Sequence, residues 1–432
     1  MDIHDLYAIY QQFPSVETDT RKLKPNDIFF ALKGNNFNGN HFVKQALQAG
    51  ASFAVIDDKD VEILGKTILV KDVLQTLQEL ANFHRKQFNT LPAGRQVPFL
   101  AITGSNGKTT TKELIHAVLS SSYQTYTTEG NLNNHIGVPL TILKIRNDAE
   151  IAVLEMGANH IGEIASYCKI AQPTHGIITN CGKAHLEGFG SLEGVKKAKG
   201  ELFDHLRTSR GTAFVMWDYD YLRTMSNGIH EIISYGSRNA SIEGWVLKNE
   251  PFLEIGIQHS KVLASIKTQL IGEYNFPNVL AAVTVGKYFK VPEEKIKSAI
   301  ENYVSANNRS QMIEKGSNKI ILDAYNANPG SMVSAIQNFA KIKNDNKVLM
   351  LGAMAELGKE SLHEHKLIIN LIGEYKWKDV VLVGGDFLKI NHPYLKFETT
   401  EKANAWFRKQ DFKNSFILIK GSRTIGMEKV IE

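Results

Sequence analysis

The stretch FLAITGSNGKTTTKELI, Phe99 to Ile115, decides how this chain is read. It has the order of a phosphate-binding loop but not the usual spacing. The pattern G-x-x-x-x-G-K-[ST] needs a glycine at position 102. The chain has Ile102 there, and the first glycine is Gly104. Phe99 to Thr103 is a short apolar run suited to a buried parallel strand. Gly104, Ser105, Asn106 and Gly107 form a turn-rich cluster. Leu114, Ile115, Val118 and Leu119 then recur at helical spacing, which predicts a helix starting near Lys108. Its free N–H groups would face the glycine turn, where an anion is stabilised. Lys108 can then reach the β- and γ-phosphates of a nucleotide, and Thr109 can offer a hydroxyl to Mg²⁺. The alternative is an ordinary strand–turn–helix in which Gly-Lys-Thr serves no ligand. The shortened loop argues against a GTPase or a motor.

The 432 residues are too many for one ordinary core and suggest about three domains. Hydrophobic content of 43% with 22% charged residues is that of a soluble globular protein. No apolar run approaches the roughly 20 residues needed to cross a membrane, so no membrane insertion is expected. The N-terminal MDIHDLYAIYQQF shows neither a basic leader nor an apolar core, so no signal peptide is visible. Cys168 and Cys181 form no metal-ligand pattern and fit a reduced, cytoplasmic chain. A net charge of +5, with lysines scattered apart from small clusters such as GVKKAKG, suits anionic small molecules and not a nucleic-acid partner.

The expected fold class is α/β in three domains: residues 1–90, 98–309 and 310–432. The first, the smallest, carries short strands at DIFFALKG, FAVID and TILV, and closes with a helix over KDVLQTLQELANFHRKQF. A Pro/Gly-rich linker, centred on 91–97, follows. The second alternates strand and helix, with strands at FLAIT, EIAVLEM, THGIITN and GTAFVMW. This is the rhythm of a parallel sheet around a phosphate loop. The third has strands at KIILDAY, KVLMLGAM, DVVLVGG and SFILIKG, a second, Rossmann-like doubly wound sheet. A hinge is expected in SANNRSQ, between the last two.

Ligands of open α/β sheets sit at the carboxyl ends of the strands. Glu155 follows IAVLE; Asn180 and His185 follow GIITN; Asp323, Asn326 and Asn328 follow IILD; Lys420, Ser422 and Arg423 follow FILIK. Singly each has a plain reading as a cap, a turn or a surface residue. Together they bring carboxylate, imidazole, amide and guanidinium to a phosphate loop, as a metal–nucleotide site requires. Arg423, with Lys420, could pair with a carboxylate ligand.

These residues reach a family. TGSNGKTTTKE, GNLNNHIGVP, LEMGANHIGEI, TNCGKAHLEGFGS and AKGELF resemble, in order, the central domain of the Mur ligases. GEYNFPNVLAA resembles their adenine-contacting segment. DAYNANPGSM, LGAMAELG and KGSRTIGMEKV resemble the C-terminal domain of the branch that uses D-alanyl-D-alanine. TDTRKLKPNDIFFALKGNNFNGNHFV resembles the N-terminal domain that holds the UDP end of the substrate. The short loop G-x-x-G-K-T is this family's form. The diaminopimelate-adding members typically carry Asp-Asn-Pro-Arg, which is absent here; YNANP stands instead. Two departures are Ala353, where the branch usually has an acid (LGDM), and Asn308 before Arg309, where it usually has glycine.

The resemblance implies an ATP-dependent ligase of peptidoglycan precursor synthesis. It would join D-Ala-D-Ala to UDP-N-acetylmuramoyl-tripeptide through an acyl phosphate, as a monomer, with Mg²⁺. It implies catalytic roles for Lys108, Glu155, His185 and Lys199. Gly104, Ser105, Asn106, Gly107, Lys108, Thr109, Thr110, Asn278, Arg309 and Asp323 would hold ATP, with Asn278 at the adenine. Thr109, Glu155, His185 and Lys199 would bind Mg²⁺, with Lys199 carbamylated and its amine kept neutral by the nearby Lys196 and Lys197. Thr20, Arg21, Lys33, Asn133, Asn134, Tyr325, Asn326, Asn328, Lys420 and Arg423 would meet the other substrates. Alternatives are another amide ligase of the superfamily, third-amino-acid-adding or folylpolyglutamate-like, or a nucleotide-binding regulatory switch.

Overall fold

The computed structural model describes residues 2–89, 96–305 and 308–432. Most of the expected linker, and positions 306 and 307 of the expected hinge, lie outside the described residues. Among the described residues, the first unit is built on a four-stranded parallel sheet ordered Val16–Glu17, Ile28–Phe30, Phe53–Ile56, Thr67–Leu69. Its closing helix, Val73–Gln87, starts where the Asp72 carboxylate accepts from Gln75 N at 2.7 Å, satisfying one of the free first-turn donors. Val73, Leu77, Leu80 and Ala81 form its buried stripe.

That helix is stitched to the next unit by Arg85, which is 1% exposed. Its guanidinium donates to Ala171 O at 2.8 Å and Gln172 O at 2.9 Å, and lies 3.8 Å above the Phe99 ring. One apolar core runs through both units, from Leu6 to Ile300.

The middle sheet has nine strands among the described residues. Its order is Ile266–Lys267, Glu254–Ile257, Ile242–Lys248, Glu231–Gly236, Thr212–Met216, His175–Ile178, Phe99–Thr103, Ile151–Glu155, Thr125–Thr127. The four strands expected from sequence are all present and nearly wholly buried. The antiparallel edge from Ile242 to Lys267 was not expected. Phe99–Thr103 lies mid-sheet between His175–Ile178 and Ile151–Glu155, so its carboxyl end opens among theirs.

The last sheet runs Gln311–Lys315, Asn318–Asp323, Phe416–Lys420, Lys347–Gly352, Asp379–Val383, Leu395–Phe397, parallel except for the first hairpin. Its residues alternate between two cores, as period-two side chains must. Ile321, Leu349, Leu351, Leu382 and Leu418 pack under the helices Pro329–Lys341 and Ser361–Gly373. Ile320, Leu322, Met350, Val381 and Ile417 pack on the other side with Ala403 of the helix Thr400–Phe407. This is the doubly wound sheet that was expected. Among the described residues no helix is long and apolar enough to cross a membrane.

Candidate active site

The helix after the glycine turn is Lys108–Ser120, starting where the sequence places it. Gly104 has φ +142°, and a Cβ there would stand 2.0 Å from Thr179 Oγ1; Gly107 has φ +81°, and a Cβ there would stand 2.5 Å from Asn278 Oδ1. Neither position admits a side chain, so the loop main chain lies hard against its neighbours. The end of His175–Ile178 clasps it: Ser105 N donates to Asn180 O at 2.9 Å, Asn106 N to Asn180 Oδ1 at 3.0 Å, and Thr179 Oγ1 to Asn106 O at 2.6 Å. The Lys108 ammonium folds back to donate to Gly104 O at 2.7 Å and Ser105 O at 3.3 Å. Burial, with Arg309 nearby, pulls it below its ordinary pKa, against the pull of Glu155.

Thr109 Oγ1 donates to Glu155 Oε2 at 2.9 Å, and Asn133 Nδ2 donates to Oε1 at 2.8 Å. Asn278 is buried, accepting from Thr111 Oγ1 at 3.0 Å and donating to Asn275 Oδ1 at 2.9 Å, which leaves one N–H free of these bonds.

These residues open on a cleft of about 1040 Å³ between the middle and last units. Ser105 through Thr110, Asn133, Asn134, Glu155, His185 and Asn278 line one side; Asp323, Tyr325, Asn326, Asn328, Lys420 and Arg423 line the other, with Arg309 at the junction of the two units. Arg309 stacks on Tyr325, Cζ 3.6 Å from the ring centre, and its Nε is buried without a hydrogen-bond partner among the described residues. Arg423 Cζ stands 5.5 Å from the same ring. Asn308 takes φ +57° where the family usually has glycine, a left-handed conformation asparagine tolerates; its carbonyl accepts from Tyr325 N at 3.1 Å. Ala353 is buried, its carbonyl accepting from Ser422 Oγ at 2.7 Å.

Asp323 and Lys420 face each other on adjacent strands. The ammonium lies 2.6 Å from Oδ2, is 2% exposed, and also donates to Asn326 O at 3.2 Å; Oδ1 accepts from Ser310 N at 3.0 Å. Both charges are therefore engaged with each other, whereas the sequence reading assigned one to ATP and one to a substrate carboxylate. Asn328 caps Pro329–Lys341 through Ser331 and donates across the cleft to Asn106 Oδ1 at 2.7 Å.

Three family descriptions match in order: "Mur ligase family, catalytic domain" at residues 13–85, "Mur ligase middle domain" at 102–286, and "Mur ligase, glutamate ligase domain" at 308–423. The UDP-N-acetylmuramoyl-tripeptide–D-alanyl-D-alanine ligase of Bacillus subtilis (strain 168) is 34% identical, with 96% of this chain and 92% of that one covered. The chain belongs to the Mur ligase family. Among solved structures it is similar to MurF from Acinetobacter baumannii (31% identity, 96% and 92% covered, TM-score 0.85). It is also similar to the MurF ligase of Thermotoga maritima in complex with ADP (26%, 96% of each chain, TM-score 0.84).

In this Mur ligase, His185 adopts φ +51°, and its Nδ1 lies 2.5 Å from Glu356 Oε2 of the last unit. The approach is short but not aligned as a ring N–H hydrogen bond, so it is a charge contact. The imidazole holds the Glu356 carboxyl below the usual carboxylate range. Lys199 is 1% exposed, behind the cleft wall, and donates to Ala158 O at 3.2 Å. Its pKa is pulled down to about 7 by burial first and Lys108 second. Lys196 and Lys197 are not the cause: Lys196 pairs with Glu193, and Lys197 is exposed. Among the described residues no three His, Cys, Asp or Glu side chains gather as a metal site; the four expected ligands stand as the bonded pair Thr109–Glu155, with His185 and Lys199 engaged elsewhere.

Thr20, Arg21 and Lys33 stay on the first unit, away from this cleft. Arg21 pairs with Asp19 at 2.7 Å, and Lys33 with Asp57 at 2.9 Å. Tyr219 and Tyr221 line the cleft, stacked with centroids 5.7 Å apart, and were missed. They follow the strand Thr212–Met216, so the strand-end rule applied to WDYDYL would have found them.

Proposed function

We propose that this Mur ligase joins D-alanyl-D-alanine to UDP-N-acetylmuramoyl-tripeptide at the cost of ATP, a step of peptidoglycan precursor synthesis. The observation that carries the reading is one cleft in which Lys108, Thr109 and Glu155 face Arg309, Tyr325 and Arg423. The terminal carboxylate of the tripeptide attacks the γ-phosphorus of ATP and ADP leaves. The amine of D-Ala-D-Ala then attacks the carbonyl carbon of the acyl phosphate and gives up a proton, and the C–O bond breaks to release phosphate, which takes the bonding pair, as the amide forms. Catalysis of such a transfer rests on positioning and on neutralising phosphate charge.

The chain's residues suit these tasks. The loop main chain admits no Cβ at Gly104 or Gly107, and can cradle phosphate. Lys108 can exchange its two carbonyl partners for the β- and γ-oxygens. Arg309 Nε is a buried donor lacking an acceptor, and Asn278 keeps an N–H for adenine. Asp323 would serve the nucleotide through Lys420 and Ser310. The Thr109–Glu155 pair is a hard oxygen set that fits Mg²⁺, which would supply charge neutralisation there; His185 and a carbamylated Lys199 would complete its surroundings. Arg423 would fork onto the dipeptide carboxylate, with Tyr325, Asn326 and Asn328 beside it. Asn133 and Asn134 would meet the tripeptide, and Thr20, Arg21 and Lys33 the UDP end.

We take residues 1–90, 98–309 and 310–432 as the working units of a cytoplasmic monomer. Phosphate release measured on a panel tests the whole reading. Turnover should require UDP-MurNAc-tripeptide and D-Ala-D-Ala together. Equal turnover with UDP-MurNAc-dipeptide and a single amino acid would overturn it, as would release that ignores the acceptor.

A further inference from the structure

Glu356 and His185 belong to different units and meet across the cleft at 2.5 Å. Both hold left-handed backbone, φ +60° and +51°. Non-glycine residues rarely adopt that conformation, and keep it only where the surroundings over-determine it. The main chains dock as well. Glu187 N donates to Glu356 O at 3.3 Å, and a Cβ on Gly358 would stand 3.4 Å from Glu187 Cα. Beside them Lys183 Nζ lies 2.7 Å from the carboxylate of Glu364, whose side chain is 5% exposed.

The two charge contacts differ in what they hold. Lys183 is a flexible arm, half exposed, and its contact with Glu364 can only tie the units together. Glu356 engages a ring with two distinct nitrogens. A carboxylate 2.5 Å from Nδ1 occupies that side of the ring and holds the imidazole in place by charge. Nε2 is then the atom left for a ligand.

We infer that Glu356 is a positioning residue for His185, delivered by the last unit, so that the imidazole is set for the reaction only when the cleft is closed. This rests on the role proposed above for His185. It makes closure a condition for assembling the site, in addition to a means of excluding water.

The test compares Glu356→Ala, Glu356→Gln, Glu364→Gln and His185→Gln in the full chain. Glu356→Ala should lower kcat about 10- to 100-fold while the KM for ATP and for D-Ala-D-Ala moves by less than about threefold. Glu356→Gln, which keeps the size and the main-chain docking, should lose kcat in the same direction. Glu364→Gln should instead raise both KM values and weaken closure seen by small-angle scattering. A second readout needs neither metal nor turnover. In metal-free protein labelled with ¹⁵N-histidine, the His185 resonance (assigned by its loss in His185→Gln) should move when an ATP analogue and UDP-MurNAc-tripeptide are added. It should stay put in Glu356→Ala, whose scattering still reports closure. An unchanged kcat in both Glu356 variants, or the same resonance shift in Glu356→Ala as in the parent, overturns the inference alone if His185→Gln is inactive. Full turnover in His185→Gln overturns the role of His185 and the inference with it.

Discussion

Thr109 Oγ1 donates to Glu155 Oε2 at 2.9 Å, joining the first turn of the phosphate-loop helix to the end of the neighbouring strand. Both side chains are buried, and the other carboxylate oxygen is held by Asn133. A buried carboxylate whose hydrogen-bond donors are neutral is a costly anion, and the Mg²⁺ proposed above would offset its charge alongside the nearby Lys108.

Glu155→Gln keeps the size and removes the charge; its amide oxygen can still accept from Asn133, and its NH₂ would donate to Thr109 Oγ1 in place of the present bond. It should fold normally and lose roughly 100- to 1,000-fold in kcat, the scale seen when one stabiliser of developing charge is removed. Thermal unfolding with ATP, with and without Mg²⁺, gives an independent check. The extra stabilisation by Mg²⁺ in the parent should vanish in the variant; retention of that increment would show that the cation is held elsewhere.

Lys199 titrates at about 7 in the folded chain because burial disfavours its ammonium, against an ordinary value of 10.5. Below about pH 7 both folded and unfolded chains are protonated, and the folded chain bears the full penalty of a buried charge. From about pH 7 to 10.5 the unfolded chain binds the extra proton, so this group's contribution to stability rises with pH. In bicarbonate-free buffer Lys199→Met should therefore be more stable than the parent near pH 6, with the margin narrowing as the pH climbs. A neutral amine near pH 7 is also what CO₂ adds to. Lys199→Ala should lose most turnover while folded, and a small carboxylic acid should restore part of it. Near-normal turnover in that variant would remove the carbamate from the scheme.

Arg423 is exposed at the cleft, its guanidinium near the Tyr325 ring, while its neighbour Lys420 is already neutralised by Asp323. That leaves Arg423 as the free cation of this pair for a dipeptide carboxylate. Arg423→Ala should raise the KM for D-Ala-D-Ala about tenfold or more, as loss of a charge-assisted fork does, and barely alter that for ATP. Equal effects on both would argue against the assignment. Lys420→Met, in contrast, should destabilise the fold by stranding Asp323, readable as a lowered Tm.

Asn328 does two jobs, capping Pro329–Lys341 and reaching Asn106 across the cleft at 2.7 Å. Asn328→Ala should cost about 1 kcal/mol of stability through the cap and also raise the KM for ATP; Asn328→Ser, a competent cap too short to reach, should show only the second effect. Scattering adds the larger motion. From an open apo form the radius of gyration should fall on adding an ATP analogue with UDP-substrate, and no change would refute closure.

The phosphate loop and the strand-end residues were legible because each follows an apolar run whose end is a local feature: Glu155, Asn180, Asp323 and Lys420 all lie where expected. What those residues bond to was not legible. Asp323 meets Lys420 through the register of two strands that are 97 residues apart in sequence, and no local pattern encodes register. The antiparallel edge was hidden for another reason. Its strands contain Gly244 and Gly256, and glycine weakens a strand signal; a Cβ on Gly244 would stand 2.9 Å from Gly256 O, so glycine is there to let two strands close up. Lys199 was readable in principle. It falls on the same helical stripe as Val195, Ala198, Leu202 and Leu206, all buried, and a lysine in an apolar stripe is not a solvated face.

The seam at Arg85 has a mechanical consequence. Its guanidinium is bonded to main-chain carbonyls beyond the seam, and the apolar core passes through without a break. Pulling the first two units apart would strand a buried cation and split that core, so they travel as one body. For the substrate proposed above, with its UDP end on the first unit and its far carboxylate at the phosphate loop, such a body would be a ruler. On that proposal the reach from anchor to phosphate loop would be set by packed side chains, and a stem one residue too short or too long would present its carboxylate at the wrong mark before the last unit has any part in the choice.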